Sequence, residues 1–521
     1  MKKFSKILSV ALLVALVLSL GVASAFAQTV GTAAEGKGSI TISNAAMGET
    51  YKVVKVFGAT LTNDATSSTD ATGIAYTGEI PSALTTYFEK DEAGNIHLKE
   101  NADQEAMLTA VQTWAKGQTA TAEAVSNGET LVFQGLDYGY YAVVSTQGAT
   151  VTIDSTKPTA TVIDKNTKII TGGKTVDDTS YSIGETINYT ATFTTKNYVG
   201  DEQVKSYTIS DTLPEFLTNV RITSVKIIQT TVEADKTDYP DVTLSYSAFT
   251  NKQIVIPWVD DADKSLYKNG STIEIKYSAE LTSTVNVNAD NTNTVTIVPN
   301  KDKTGENPFN EHYDYDAQIT TYAAALKKIA GTKDANGKEV TLAGAKFKFY
   351  GLNVTETASG IYTVSSYDPS KYDSTEGATQ TAGNLGTEVE VGADGMLYIV
   401  GLKEGVTLHG IETKAPDGYN KLEGEIALTP QKLSEEVFHT EGTRYYDAKG
   451  NLVSTSESSS SSKSVEKNLS DLDAAALNVV NNKGTELPST GGIGTTIFYV
   501  VGGVLVLAAI ILLVTKKRMS E

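Results

Sequence analysis

The sequence predicts an all-β chain: β-sandwich domains in tandem, forming an elongated array between two terminal apolar segments. Three observations lead there. Runs such as Ser182-Ile183-Gly184-Glu185-Thr186-Ile187-Asn188-Tyr189-Thr190-Ala191-Thr192-Phe193 place an alternating polar and apolar segment after a glycine turn, the pattern of a strand with one buried face. Turn-forming Gly, Asn, Asp and Pro punctuate such runs along most of the chain, as a sandwich requires. The 521 residues exceed one ordinary domain and suit three, at roughly 150 residues each.

The first segment, residues 1–27, has the layout of a secretory signal peptide. Met1-Lys2-Lys3 supplies the charge, Ile7 to Val22 the apolar stretch, and Ala25-Phe26-Ala27 a small-residue cleavage site, with cleavage expected after Ala27. At the other end an apolar run from Ile497 to Val514 is long enough to span a bilayer as a helix. Lys516, Lys517 and Arg518 follow it and would stay on the cytoplasmic side. Everything between these two segments is expected outside the cell.

Residues 28–166 read as a first domain, rich in Thr, Ala and Gly. Ser39-Ile40-Thr41-Ile42 and Tyr51 to Phe57 predict half-buried strands. Asp103 to Lys116 carries Met107, Leu108, Val111 and Trp114 at helical spacing and predicts a short surface helix. Leu131 to Val144 reads as two strands joined by a glycine-containing turn. Residues 167–319 form the second domain, with strands at Ile187 to Phe193, Tyr207 to Asp211, Ser271 to Tyr277 and Asn291 to Ile297. A polar connection, Asn300 to Gln318, leads to the third domain, residues 320–485. Its strands are expected at Tyr322 to Ile329, Leu342 to Tyr350 and Leu477 to Asn481, with Ser454 to Ser464 a disordered surface loop that cannot bury a core. Residues 487–521 hold Leu487-Pro488-Ser489-Thr490-Gly491, the apolar span and the basic tail.

Composition narrows the function classes. There is no cysteine, so an exported chain of this size draws its stability from something other than disulfides. A net charge of -19 disfavours nucleic acid and anionic membrane surfaces as partners. His97, His312, His409 and His439 show no ligand spacing, so no metal site and no cofactor is expected. No GxSxG and no His or Cys constellation points to an enzyme.

The C-terminal order of Leu487-Pro488-Ser489-Thr490-Gly491, apolar span and basic cluster resembles the LPxTG cell-wall sorting signal of Gram-positive surface proteins. The resemblance implies that a sortase cuts between Thr490 and Gly491 and passes the Thr490 carbonyl to an amine. Other stretches extend it. Gly135 to Tyr141 resembles the GLxxGYY segment of pilin N-terminal domains. Lys174-Thr175-Val176-Asp177, Gly184-Glu185 and Asp211-Thr212-Leu213-Pro214 together resemble an Ig-like pilin middle domain. Leu342-Ala343-Gly344-Ala345 and Glu412-Thr413-Lys414-Ala415-Pro416-Asp417-Gly418-Tyr419 resemble a CnaB-type module with its pilin E-box. In all, the chain is similar to the major, shaft-forming subunits of sortase-assembled pili.

That resemblance implies three sets of functional residues. Thr161-Val162-Ile163-Asp164-Lys165-Asn166 stands where such pilins carry the lysine that receives the next subunit's Thr, which points to Lys165, with Lys168 the nearest rival. Ile163-Asp164 replaces the usual Tyr-Pro there. Within each of the later domains, a lysine would attack the side-chain amide of an asparagine, assisted by a buried carboxyl group. The candidates are Lys174, Asp211 and Asn291 in the second domain, and Lys328, Glu412 and Asn481 in the third. Asn293 shares the strand face of Asn291, so periodicity leaves that choice open. Lys328 and Asn481 share faces with apolar neighbours, whereas Lys327 and Asn482 point the other way. No comparable set is evident in the first domain.

The function so implied is a structural subunit of a covalent cell-surface pilus. Its partners would be pilus-type and housekeeping sortases, further copies of itself, minor pilins, peptidoglycan and host surface ligands. The alternative is a monomeric wall-anchored adhesin built from the same modules, which needs no linkage lysine.

Overall fold

The computed structural model describes residues 27–61, 74–127, 130–144, 149–153, 157–164, 170–200, 202–229, 240–432, 442–447, 449–457, 468–484 and 493–519. The expected signal peptide, apart from Ala27, lies outside these residues. So do Lys165, Lys168 and the Leu487 to Gly491 pentapeptide.

The chain packs as two units. One joins Met1–Tyr322 to Lys432–Lys467, and the other joins Ala323–Gln431 to Asn468–Glu521. The first unit begins with a sandwich whose smaller sheet orders Ala27–Val30, Thr130–Leu136, Gly38–Ser43 and Thr159–Ile163. Its second sheet is built on the long strand Thr50–Leu61, which pairs with Ile74–Thr77, Ala122–Val125 and Gly139–Val144. That strand is buried on both faces, not one. Tyr51 and Val53 join a core with Ile40, Ile42, Phe133 and Tyr141. Val54, Val56 and Phe57 pack with Met107 and Val111 of the helix Gln104–Lys116. Asp103 caps that helix, accepting hydrogen bonds from the amides of Glu105 (3.0 Å) and Ala106 (3.1 Å). The strands Thr130–Leu136 and Gly139–Val144 do not pair with each other; the chain passes between sheets at Asp137-Tyr138.

The middle sandwich follows. One sheet orders Gly172–Val176, Thr186–Thr194, Thr272–Leu281, Leu217–Ile228 and Val242–Leu244. Alternation is faithful here: Ile187, Tyr189, Ala191 and Phe193 are all buried. The facing sheet orders Gln253–Pro257, Ser206–Asp211, Asn291–Asn300, His312–Ile319, Gly442–Tyr446 and Leu452–Glu457. Two expectations are corrected by this sheet. The supposed polar connection contains a strand, His312–Ile319, because Tyr313, Tyr315, Ala317 and Ile319 alternate into the core. The start of the serine run, Ser454–Glu457, belongs to a strand of a hairpin paired with Gly442–Tyr446. The rest of that run, 458–464, lies outside the described residues.

The second unit is a smaller sandwich. One sheet orders Leu352–Ala358, Ile361–Tyr367, Met396–Leu402, Tyr322–Ala330 and Leu477–Asn481. The other orders Leu385–Glu390, Lys346–Tyr350, Leu408–Lys414 and Glu425–Leu428. Its first and last strands lie side by side and run parallel, Leu326 level with Leu477 and Ala330 level with Asn481. The helix Ile493–Met519 completes the described chain, and its span Ile497–Lys517 is long and apolar enough to cross a membrane.

Candidate functional site

Among the described residues, two of the buried lysine–carboxylate pairs involve the residues predicted above, one in each unit. In the second unit, strand alternation turns Lys328 and Asn481 inward, while Lys327 turns out to Glu339 at 3.0 Å and Asn482 is exposed. Glu412, on the facing sheet, reaches across the sandwich between them. All three side chains are buried. Lys328 Nζ lies 3.0 Å from Glu412 Oε1 and in contact with Asn481 Oδ1. Asn481 Nδ2 donates to Glu412 Oε1 (3.1 Å) and Oε2 (2.9 Å), and to the Asn420 carbonyl (2.9 Å). The Leu422 amide fixes Glu412 Oε2 at 2.6 Å.

The ring of Phe347 lies beneath the ammonium, its centroid 5.5 Å away. Burial pulls the Lys328 pKa down, and the neighbouring carboxylate opposes that pull. The arrangement holds an amine, a proton acceptor and a carboxamide in mutual contact away from water.

In the middle sandwich Lys174 and Asp211 are buried and paired, Lys174 Nζ to Asp211 Oδ2 at 2.8 Å. Desolvation lowers the Lys174 pKa to about 8 against the pull of Asp211. The rings of Tyr189 and Tyr277, stacked with centroids 5.0 Å apart, flank the amine at 5.1 and 5.6 Å.

Here the asparagine assignment is corrected. Asn291 is not in this cluster. Its carboxamide closes a turn instead, accepting from the Asn286 amide (2.9 Å) and donating to the carbonyls of Asn286 (2.8 Å) and Ala289 (3.1 Å). Asn293, two residues on and on the same face, is the one brought to the cluster. It donates through Nδ2 to Tyr277 OH (3.0 Å), and Tyr277 OH donates to Asp211 Oδ2 (2.5 Å). The Thr212 hydroxyl donates to Asn293 Oδ1 at 2.9 Å.

Two features escaped the sequence reading. Tyr277 stands in an alternating strand, where a tyrosine on a buried face reads as core. A second buried ion pair, Lys196 with Glu311, sits in the same domain, with Tyr313 donating to the carboxylate. Burial lowers the Lys196 pKa. No motif marks either residue.

The linkage candidates fare differently. Asp164, directly before Lys165, is buried; it accepts from Tyr51 OH at 2.7 Å, and its amide donates to the Ser43 carbonyl at 3.0 Å. The chain is therefore held at the residue preceding the expected linkage lysine. Among the described residues no group of three or more His, Asp or Glu is placed to hold a metal ion. His312 and His409 instead stack on Tyr446 and Tyr372, at 4.1 and 3.8 Å.

Comparison with known proteins agrees at the C-terminus. Residues 479–521 match the family described as LPXTG cell wall anchor motif. No curated protein matches the chain. Among solved structures, the group B streptococcus pilus 2b backbone protein is 28% identical, with a TM-score of 0.38, over 61% of this chain and 100% of that one. The full-length major pilin SpaD from Corynebacterium diphtheriae is 18% identical, TM-score 0.35, over 86% and 98%. The full-length major pilin RrgB from Streptococcus pneumoniae is 13% identical, TM-score 0.38, over 86% and 100%. At these TM-scores the likeness does not equate the folds. With its anchor motif and apolar C-terminal helix, the chain is a cell-wall-anchored surface protein built of β-sandwiches.

Proposed function

We propose that this protein is the shaft subunit of a covalently polymerised pilus, and that two of its sandwiches each close an internal Lys–Asn amide. The observation that carries the internal crosslink is the mutual contact of Lys328, Glu412 and Asn481 in a buried site. Desolvation disfavours the charge-separated pair, so a proton passes from Lys328 to Glu412. The neutral amine attacks Cγ of Asn481, and the new N–C bond replaces the bond to Nδ2. Glu412 touches that nitrogen directly and hands it the proton, ammonia leaves, and the attacking nitrogen returns a proton to Glu412. Enclosure of all three groups supplies most of the rate without an external enzyme. Lys174, with Asp211 as its proton acceptor, would form the corresponding amide with Asn293 in the middle sandwich.

Polymerisation uses the two ends. A sortase would cut after Thr490 and join its carbonyl to the Lys165 amine of the next copy, a head-to-tail contact that repeats without closing. The anchor motif supports the first half of this reading, and the anchored Asp164 supports the second, because it fixes the backbone from which Lys165 departs. A housekeeping sortase would transfer the final subunit to peptidoglycan, with minor pilins and host ligands as further partners.

The test is an immunoblot of boiled cell-wall extracts, wild type beside Lys165→Ala. A high-mass ladder that collapses to monomer in the variant is expected. A ladder that persists moves the linkage to another lysine, Lys168 first. A single band in both samples overturns the shaft reading and leaves a monomeric wall-anchored adhesin.

A further inference from the structure

The two lysine clusters differ in how the carboxyl group meets the asparagine. Glu412 touches both reacting side chains, the Lys328 amine at 3.0 Å and the Asn481 nitrogen at 2.9 Å. In the middle sandwich Asp211 touches the Lys174 amine, but the asparagine nitrogen is reached through Tyr277. Asp is one methylene shorter than Glu, and the phenol fills the gap.

We propose that Tyr277 is a catalytic residue of the middle-domain crosslink, carrying a proton from Asp211 to the departing nitrogen of Asn293. This rests on the reading that Lys174 and Asn293 become joined. The Lys174 ammonium gives a proton to Asp211 Oδ2, the atom that also receives the Tyr277 hydrogen bond. The neutral amine attacks Cγ of Asn293, forming the N–C bond and placing negative charge on Oδ1. The Thr212 hydroxyl, at 2.9 Å, already donates to that oxygen. The hydrogen bonds along the chain then reverse: Asp211 donates to the Tyr277 oxygen, and Tyr277 gives its own proton to Nδ2. The C–Nδ2 bond breaks, ammonia leaves, and the attacking nitrogen returns its surplus proton to Asp211. The ammonium, carboxylate and carboxamide have become an amide, ammonia and a neutral carboxyl group, and the tyrosine is regenerated.

The surroundings suit a relay. Tyr277 is almost fully buried, its ring stacked on Tyr189 at 5.0 Å, so the hydroxyl is held in place. Burial and the adjacent Asp211 charge keep the phenol protonated. It therefore acts by exchanging one proton for another, never as a standing phenolate.

The experiment compares intact masses of the full exported chain and its proteolytic fragments for wild type, Tyr277→Phe, Tyr277→His and Lys174→Ala. Wild type is expected to lack the mass of one ammonia at each cluster. Tyr277→Phe keeps the ring but not the relay. It should lose ammonia normally at Lys328 while the middle domain closes about 100-fold more slowly, leaving open molecules that close on storage. Tyr277→His, whose ring nitrogens can accept and donate, should recover part of the lost rate, which a pure packing role does not predict. Masses are read on the monomeric, folded fraction, and a melting curve matching Lys174→Ala marks a folded but open domain. Full closure of the middle domain in Tyr277→Phe overturns the relay. So does equal, unrescued loss in the His variant when both are folded. If wild type itself retains the ammonia at Lys174, it is the crosslink reading that fails.

Discussion

Lys328 and Asn481 meet although 153 positions separate them, because the strands that carry them lie next to each other and run in the same direction. Lys328 is level with Val479, so Asn481 stands one same-face step further along. That offset sets the amine against the carboxamide while Glu412 closes the triangle from the facing sheet.

Removing Glu412's charge while keeping its shape is the direct test of that triangle. Glu412→Gln is expected to leave Lys328 and Asn481 unjoined, with the mass of the ammonia retained. Closing a ring of this length restricts the unfolded chain by roughly 5 kcal/mol, so the open variant should unfold at markedly lower denaturant. Loss of one ammonia in the variant as in wild type, with equal midpoints, would sink the prediction.

Lys174 gives a pH signature in the open Asn293→Ala variant. Its pKa falls from 10.5 to about 8 on folding, so between those values the unfolded chain binds more protons than the folded one. Stability should therefore rise with pH from about 8 and stay low below it. Above about 10 unfolded tyrosines ionise while Tyr277 does not, and the trend reverses. Urea midpoints at stepped pH check this; a flat profile from 7 to 10, in round terms, contradicts the buried ion pair.

Asp164 is predicted to matter to polymerisation without itself reacting. Asp164→Ala leaves the buried Tyr51 hydroxyl without its acceptor, a cost of about 1–3 kcal/mol. It also removes the side-chain tether of the residue before Lys165, leaving its amide bond to the Ser43 carbonyl as the remaining hold. A shorter ladder, with Lys165 intact, is the expected immunoblot.

Arg444 docks the hairpin of Gly442–Tyr446 and Leu452–Glu457 onto the middle sandwich. Its guanidinium grips Asp316 with two hydrogen bonds, one to Oδ1 at 2.9 Å, and approaches Asp314 at 3.5 Å. Arg444→Ala should cost about 1.5–3 kcal/mol locally and speed amide exchange in both hairpin strands. Unchanged exchange there would show that backbone pairing alone holds them.

Much of this was legible in the residues, and the failures have physical causes. Alternation alone turned Lys328 and Asn481 inward and Lys327 and Asn482 outward, as the structure has them. Alternation could not separate Asn291 from Asn293, which share a face. What decides between them is Tyr277, a residue on a strand of the opposite sheet. Tyr313, Tyr315, Ala317 and Ile319 did alternate, but the charged residues between them made the stretch read as a connection. Pairing partners are harder still. Leu131 to Val144 reads as two strands joined by a turn, and so it is, but strand propensity is local, whereas the choice of sheet depends on distant segments.

The excursion of the chain from Gln431 into the first unit, and its return at Asn468, lies wholly between Lys328 and Asn481. With an amide joining those two side chains, the excursion becomes part of a closed covalent ring. A protease that nicks the serine-rich stretch once therefore opens the ring but releases nothing. The severed pieces stay joined through Lys328 and Asn481, and the cut chain still runs as one band on a denaturing gel. A surface protein closed in this way can be cut once anywhere between those two residues without coming apart.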